Sequence, residues 1–372
     1  MLNLVKIRRK LHSSAETGFD LRKTVKIVES ELTKLGYTPT RCGKSGIVAT
    51  VGSGGKCILL RADMDALNIK EETNLDFAAK NNMHACGHDM HTTMLLGAAE
   101  ILKKEPVNGT VKLMFQPSEE TLEGALDMIN DGVLDGVDAA MMIHTMVGTP
   151  FETGTAVIAP NGVSSPAADY FEILVAGKGT HGASPNNGVD PLNVSAHIIL
   201  ALQSISAREL SINEPAVLTV ASLNTNSSYN AISDTAVMRG TMRAYDEKTR
   251  DFMKQRLTDI CKKTASAFRA EADVIFKNSC PTLINDKTLC EKMYNSLKDI
   301  TVISGSDLNS QIKSSGSEDF AYISHKVPSV MVALSAGNSK HPLHNPKVVF
   351  DEEALSYGAY IYAKFAVDFL KD

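Results

Sequence analysis

Apolar positions change their spacing along this chain, and the changes mark its elements. Leu4, Ile7 and Leu11, then Val25, Ile27, Val28, Leu32 and Leu35, recur at helical intervals, and Gly36 closes the second run. The opening segment reads as helix. GIVATVGSG and CILLRADMD follow as two short apolar runs split by a Gly-Gly pair, the pattern of strands in a buried sheet. A helix is predicted at about Thr92–Lys104, then the strand TVKLMFQ, stopped by Pro117. Another helix is predicted over Gly124–Asp131, and DAAMMIH (138–144) reads as a further buried strand. Strands alternating with helices predict an α/β fold, a mixed sheet flanked by helices on both faces.

After about residue 168 the rhythm changes. DYFEILVAGK alternates like a strand, PLNVSAHIILALQSISAREL is a helix opened by Pro191, and AVLTVASLNT and TAVMRGTMRAY are strands. A helix with an acidic first turn begins at Asp246, and EADVIFKN is a last strand. The order β-α-β-β-α-β is that of a small ferredoxin-like α+β domain. The α/β pattern then resumes with VPSVMVALSAG and a closing helix from about Asp351 to Leu370. The expected organisation is therefore one discontinuous domain, residues 1–168 and 279–372, around an inserted domain, residues 169–278.

Length agrees: 372 residues suit two domains of moderate size. A net charge of -5 argues against nucleic acid or anionic lipid as the main partner. With no tryptophan and 6% aromatic residues, binding by aromatic stacking is not expected. Six scattered cysteines without a C-x-x-C pair do not make a disulfide framework. No apolar stretch has the length of a signal peptide core or a membrane span, so the expected location is a reducing cytoplasm.

Four polar clusters and one histidine carry the chemistry: RADMD (61–65), MHACGHDMH (83–91), FQPSEE (115–120), HPLHN (341–345) and His144. Three of them end an apolar strand and HPLHN follows one closely, which is the edge where open α/β sheets bind ligands. MHACGHDMH puts His84, Cys86, His88, Asp89 and His91 within eight residues, a set of nitrogen and sulfur donors for a divalent ion. A closed structural zinc site would need a second paired cluster, and none exists. Glu119 and Glu120, just past Pro117, can both reach one cavity if the chain turns there. Such a pair supplies both a metal ligand and a general base. Alone it would be an ordinary solvated turn. Asp63 and Asp65 alternate at a strand end and suit support of a ligand or of the base, or else a turn. His181, flanked by glycines in GKGTHGASP, could donate to an oxyanion. Asn230 and Arg243 could bind a substrate carbonyl and carboxylate, although a salt bridge within the domain would equally occupy Arg243. Glu318 and Asp319 in SGSEDF (315–320) read as helix caps. His12, His197 and His325 read as structural.

Taken in this order, RADMDAL, MHACGHDMH, FQPSEE, GKGTHGASP, SGSEDF and PLHN closely resemble the metal-dependent amidohydrolases of N-acyl amino acids. These include hippurate hydrolase, N-acetyldiaminopimelate deacetylase and the auxin-conjugate hydrolases, relatives of aminoacylase and the carboxypeptidase-G-type metallopeptidases. The resemblance spans nearly the whole chain. It implies two divalent metal ions (zinc, manganese, cobalt or nickel) held by Cys86, His88, Glu120, His144 and His344, with Glu119 as general base and later proton donor to the leaving amine. Asp63 or Asp65 would support the catalytic site. The inserted domain would be a lid and dimerisation domain, whose His181 reaches the partner's site in a homodimer while Asn230 and Arg243 bind substrate. The implied reaction is amide hydrolysis of N-acetyl or N-aroyl amino acids by a metal-activated water. The alternatives are a dipeptidase or carboxypeptidase with the same centre, and a non-catalytic metal-binding relative. The chain departs from the family pattern at Ser118 and at Thr121-Leu122-Glu123, which are expected to line the pocket. LHSSAETGF lacks a common Pro before its Glu, and LNIKEE lacks one after ADMDAL.

Overall fold

Cys57–Asp63 is buried at all seven positions, which a strand achieves only when both faces of its sheet are covered. Its side chains alternate between two cores. Ile58 and Leu60 join one cluster, Cys57 and Leu59 another. The computed structural model in which this is seen describes residues 2–159, 161–304 and 316–371.

The described chain divides into two compact units. The first takes residues up to Ser164, from Leu283, and from Glu318 onward. Its eight-stranded mixed sheet runs in the order Thr40–Cys42, Gly46–Gly52, Thr110–Gln116, Cys57–Asp63, Ala139–Met146, Ser329–Ser335, Ala156–Ile158, Val302–Ser304. The four central strands, Thr110–Gln116 through Ser329–Ser335, are mutually parallel. The larger core cluster is completed by the helices His88–Lys104 and Ala354–Phe369. These two lie so close that a Cβ on Gly97 would meet Ala359 Cβ at 2.7 Å, and one on Gly358 would meet Met94 Sδ at 2.3 Å. Only glycine allows that approach.

Three boundaries differ from the sequence reading. The opening helix is two, Leu4–Ser13 and Arg22–Lys34. Gly18 turns the chain between them at φ 58°, and the Glu16 carboxylate accepts from the N–H groups of Lys23 (2.9 Å) and Thr24 (3.0 Å), satisfying the start of the second helix. The helix expected from Thr92 begins at His88, after Gly87 in the left-handed conformation. The strand expected to end at His144 continues to Met146.

The second unit takes Ser165–Thr282, joined by Ser317. Its four-stranded antiparallel sheet has the order Ala216–Thr225, Thr235–Ala244, Ala167–Ala176, Glu271–Cys280. The helices Pro191–Ser204 and Glu247–Ala267 share one core cluster with it. Asp190 and Asp246 cap them, accepting from Leu192 N–H at 2.9 Å and Thr249 N–H at 2.8 Å.

Candidate metal centre

Parallel pairing brings the polar clusters of the first unit to one edge. Asp63 ends its strand opposite Gln116, and His144 pairs with Ala333. All these strands point the same way, so RADMD, FQPSEE, His144 and the chain leading into HPLHN meet at their carboxyl ends.

The crowded run 84–91 is sorted by its hydrogen bonds. His88 Nδ1 lies 2.9 Å from the carbonyl oxygen of Asp65. A carbonyl only accepts, so Nδ1 carries its proton there and Nε2 is the atom left for a ligand. His144 Nδ1 lies 2.7 Å from the carbonyl oxygen of Thr145, which frees its Nε2 in the same way. His91 has no such freedom. Its Nδ1 lies 2.6 Å from Asp63 Oδ1, and its Nε2 accepts from the Thr145 N–H at 2.8 Å. Asp89 accepts from Arg8 Nε (2.7 Å) and pairs with His12 Nδ1 (2.9 Å). His84 is buried with neither ring nitrogen bonded, and burial lowers its pKa to about 3, keeping it neutral. Of the five candidates, Cys86 and His88 keep a ligand atom close to other donors and not taken up by the surrounding structure, whereas His84 joins no such cluster among the described residues.

Glu119 and Glu120 sit in a turn opened by Ser118 at φ 57°. Both of their N–H groups bond the Asp65 carboxylate, at 2.9 and 3.2 Å. One carboxylate thereby fixes the turn that aims both glutamates at His88. His88 Nε2 is 3.8 Å from Glu119 Oε2 and 3.8 Å from Glu120 Oε1. His344 Nε2 is 3.7 Å from Glu120 Oε1, and Cys86 Sγ is 3.6 Å from His144 Nε2. His344 holds φ 65°, with its N–H bonded to the Ala85 carbonyl oxygen at 2.9 Å. A left-handed histidine held by its neighbours is the kind of strain found at functional sites.

These donors fit divalent ions. Ligand atoms of Cys86, His88 and His144, of Cys86, Glu120 and His344, and of His88, Glu119 and Glu120 each lie within 4.8 Å of one another. His88 Nε2 and Glu120 Oε1 are buried without a hydrogen-bond partner, an arrangement that costs free energy unless a cation takes both. The set mixes one thiol, three imidazoles and carboxylates, suited to borderline ions. Without a cation the same crowding holds protons. Burial pushes the Cys86 thiol up to about 12 and Glu120 up to about 7. Burial, then the charges of Glu318 and Glu120, raise Glu119 well above the usual carboxylate range. Burial alone would lower His88, but the charge of Asp63 and the bond toward Asp65 overcome it and hold the ring well above its ordinary value. Burial lowers His144 to about 3.

The structure distinguishes the two aspartates. Asp65 holds the Glu119-Glu120 turn. Asp63 bonds His91 and accepts from Arg61 Nη1 at 2.8 Å, with Oδ2 3.8 Å from His88 Nε2. His88, His91 and Arg61 overcome burial and keep Asp63 charged, well below the ordinary range.

In the second unit, His181 and Asn230 are neighbours. His181 pairs with Ala231 in a two-stranded ribbon, and Gly182 N–H bonds the Asn230 carbonyl oxygen at 2.7 Å. Both side chains are exposed. Arg243 lies on the strand Thr235–Ala244 and donates to the Ser317 hydroxyl.

Two sequence expectations are corrected. Ser118 is fully buried, its hydroxyl 2.6 Å from that of Thr121, and Leu122 is nearly so, at φ 59°. They shape the turn and do not line an open pocket. Glu318 and Asp319 are more than caps: both pair at 2.8 Å with the buried Arg61. Ser315 of SGSEDF lies outside the described residues. The sequence reading missed Arg61 as a hub and His12 as a partner of Asp89. An arginine inside a strand with no polar alternation was the available signal for the first.

With this geometry in hand, the comparisons are specific. A family model described as peptidase family M20/M25/M40 matches residues 59–368. The N-acetyl-L-cysteine deacetylase of Bacillus subtilis (strain 168) is 36% identical, covering 98% of this chain and 88% of its own. The hippurate hydrolase of Campylobacter jejuni is 35% identical, with coverage of 98% and 96%. A crystal structure of a Bacillus subtilis dinuclear metal-binding peptidase from the M20 family superposes with a TM-score of 0.83 at 30% identity, covering 99% of this chain and 97% of that one.

Proposed function

Because the chain belongs to the peptidase family M20/M25/M40, we propose that it is a metal-dependent amidohydrolase that cleaves the amide bond of N-acyl amino acids. The carrying observation is the Glu119-Glu120 turn, which aims two carboxylates at His88 Nε2 beside a buried thiol and two further imidazoles. Cys86, His88, Glu120, His144 and His344 are the proposed ligands of two divalent ions, drawn from zinc, manganese, cobalt or nickel. When bound, such ions supply Lewis acidity that acidifies a water and polarises a carbonyl.

The remaining steps belong to the protein. Glu119 takes a proton from the attacking water and later returns it to the amide nitrogen as the C–N bond breaks. Its backbone is tied to Asp65, so the carboxylate moves by side-chain rotation alone. Asp63 keeps His91 and Arg61 in place at the strand end. The second unit is proposed as a ferredoxin-like lid and dimerisation domain with the boundaries 169–278, leaving 1–168 and 279–372 as the catalytic domain. His181 would hold the oxyanion, in the partner's site of a homodimer, and Asn230 and Arg243 the substrate's carbonyl and carboxylate. The exposure and adjacency of His181 and Asn230 support this role. A cytoplasmic location is supported by six buried cysteines, none of them joined in a disulfide. No helix among the described residues is long and apolar enough to cross a membrane.

The test is a panel of N-acetyl, N-benzoyl and dipeptide substrates run with each of the four metals. Glu119→Ala is expected to keep fold and metal while losing on the order of 10² to 10⁴ in kcat. His181→Ala is expected to lose kcat without losing metal. Wild-type turnover in Glu119→Ala would sink the assignment, and a monomer by light scattering would remove the shared site.

A further inference from the structure

Beside the proposed base, buried acids outnumber the buried cation that holds them. Arg61 donates from Nε to Gln116 Oε1 (2.9 Å), from Nη1 to Asp63 (2.8 Å), and from Nη2 to Asp319 and Glu318 (2.8 Å each). Both oxygens of Asp319 are further engaged, by Gln116 Nε2 at 2.7 and 2.9 Å and by the Ala125 N–H at 2.9 Å. Glu318 is different. Its Oε1 faces Arg61 and accepts from the Phe320 N–H at 3.0 Å, while its Oε2 is buried with no partner. One carboxylate oxygen from each of Glu119, Glu318 and Asp319 lies within 4.8 Å of the others.

We propose that Glu318 is a positioning residue for Glu119: a carboxylate pinned by Arg61 and the Phe320 N–H, standing behind the base and turning it toward His88. The proposal rests on the hydrolytic reading above. Glu119 acts as base only in its ionised form, and in that form its charge and that of Glu318 repel strongly at this separation where water is excluded. Glu318 cannot retreat, because Arg61 is held in turn by Asp63, Asp319 and Gln116. Glu119 can yield, because only its backbone is tied. The repulsion is relieved toward the His88 ring, whose Nε2 lies 3.8 Å from Glu119 Oε2.

Glu318→Gln tests this. The amide keeps the size and the acceptor facing Arg61 and Phe320, but replaces the bare Oε2 with an N–H donor that draws Glu119 back. Displacing a catalytic group by about 1 Å costs on the order of 10²-fold, so kcat is expected to fall by roughly 10- to 100-fold. KM is expected to stay within about twofold, since substrate binding is untouched. Metal stoichiometry and melting temperature stay at the wild-type values. In a Glu119→Gln background the same substitution adds no further loss, because Glu318 acts only through Glu119. Wild-type kcat in Glu318→Gln, an equal loss in both backgrounds, or loss of metal or fold would each overturn the proposal. A wild-type enzyme inactive on every acyl amino acid would overturn the hydrolytic reading and this inference with it. An active wild type with a silent Glu318→Gln overturns this inference alone.

Discussion

His12 shows how far a residue's meaning depends on its neighbours. Alone in LHSS it carries no signal, yet it is buried between Asp89 at 2.9 Å and Glu71 at 3.1 Å. Burial works against its charge, but the Asp89 hydrogen bond and charge prevail and raise its pKa to about 9. The ring therefore gains a proton on folding. Its contribution is whole below pH 6.5, shrinks as pH rises, and is gone above about 9. At 1.36 kcal/mol per unit, it is on the order of 3 kcal/mol. In chelated protein, His12→Gln is expected to cost more stability at pH 6 than at pH 9.5, measured by urea unfolding. An equal cost at both would mean that His12 is neutral when folded. At this scale RADMD and FQPSEE were legible because each concentrates donors at a strand end, and MHACGHDMH because it crowds donors into the start of a helix. The division of labour within them was not. His91 and His84 are as good on paper as His88; the Thr145 N–H occupies His91, the Asp65 carbonyl oxygen frees Nε2 of His88, and His84 joins none of the donor clusters among the described residues.

Among the elements, the helix His88–Lys104 decides most. It begins four residues earlier than its apolar period predicts, because His88, Asp89 and His91 are polar side chains buried by partners that lie elsewhere in sequence. Gly87 makes this start possible. It holds φ 90°, and a Cβ there would meet Thr145 Oγ1 at 2.4 Å. Gly87→Ala is expected to cost about 1–3 kcal/mol from backbone strain, plus the displacement of Thr145. Cys86 and His88 flank the glycine, so zinc affinity should fall with it. Melting temperature and a zinc-chelator competition read the two effects. Unchanged affinity would show that the turn tolerates the shift.

At the scale of the molecule, buried donors crowd together at the candidate metal centre, and metal is the expected release. With no metal, burial leaves protons on Cys86 and on Glu120, whose pKa is about 7. Binding must displace them, so affinity is expected to rise from pH 6 to pH 8 with protons released. At a free metal concentration 100 times Kd the stabilisation is about 2.7 kcal/mol, visible as a higher melting temperature that a chelator reverses. Calorimetry in buffers of different ionisation enthalpy counts the protons. A count of zero would contradict the buried, protonated site.

The sequence by itself determined the alternation of elements, the change of rhythm near residue 168 and the chemical character of the centre. These are local properties: spacing sets which faces are apolar, and donor type sets which ions bind. Tertiary structure alone decided the rest. Parallel pairing brought the ends of the strands that carry Asp63, Gln116 and His144 to one edge, where donors from residues 63 to 344 form overlapping clusters. Backbone carbonyl oxygens, of distant Asp65 for His88 and of neighbouring Thr145 for His144, chose the free nitrogen of those rings. The turn at Ser118 aimed two adjacent glutamates the same way. Arg61 gathered Asp63, Glu318 and Asp319 from opposite parts of the chain. Such choices depend on which groups are buried together, and burial is a property of the packed molecule, which no local stretch of sequence contains.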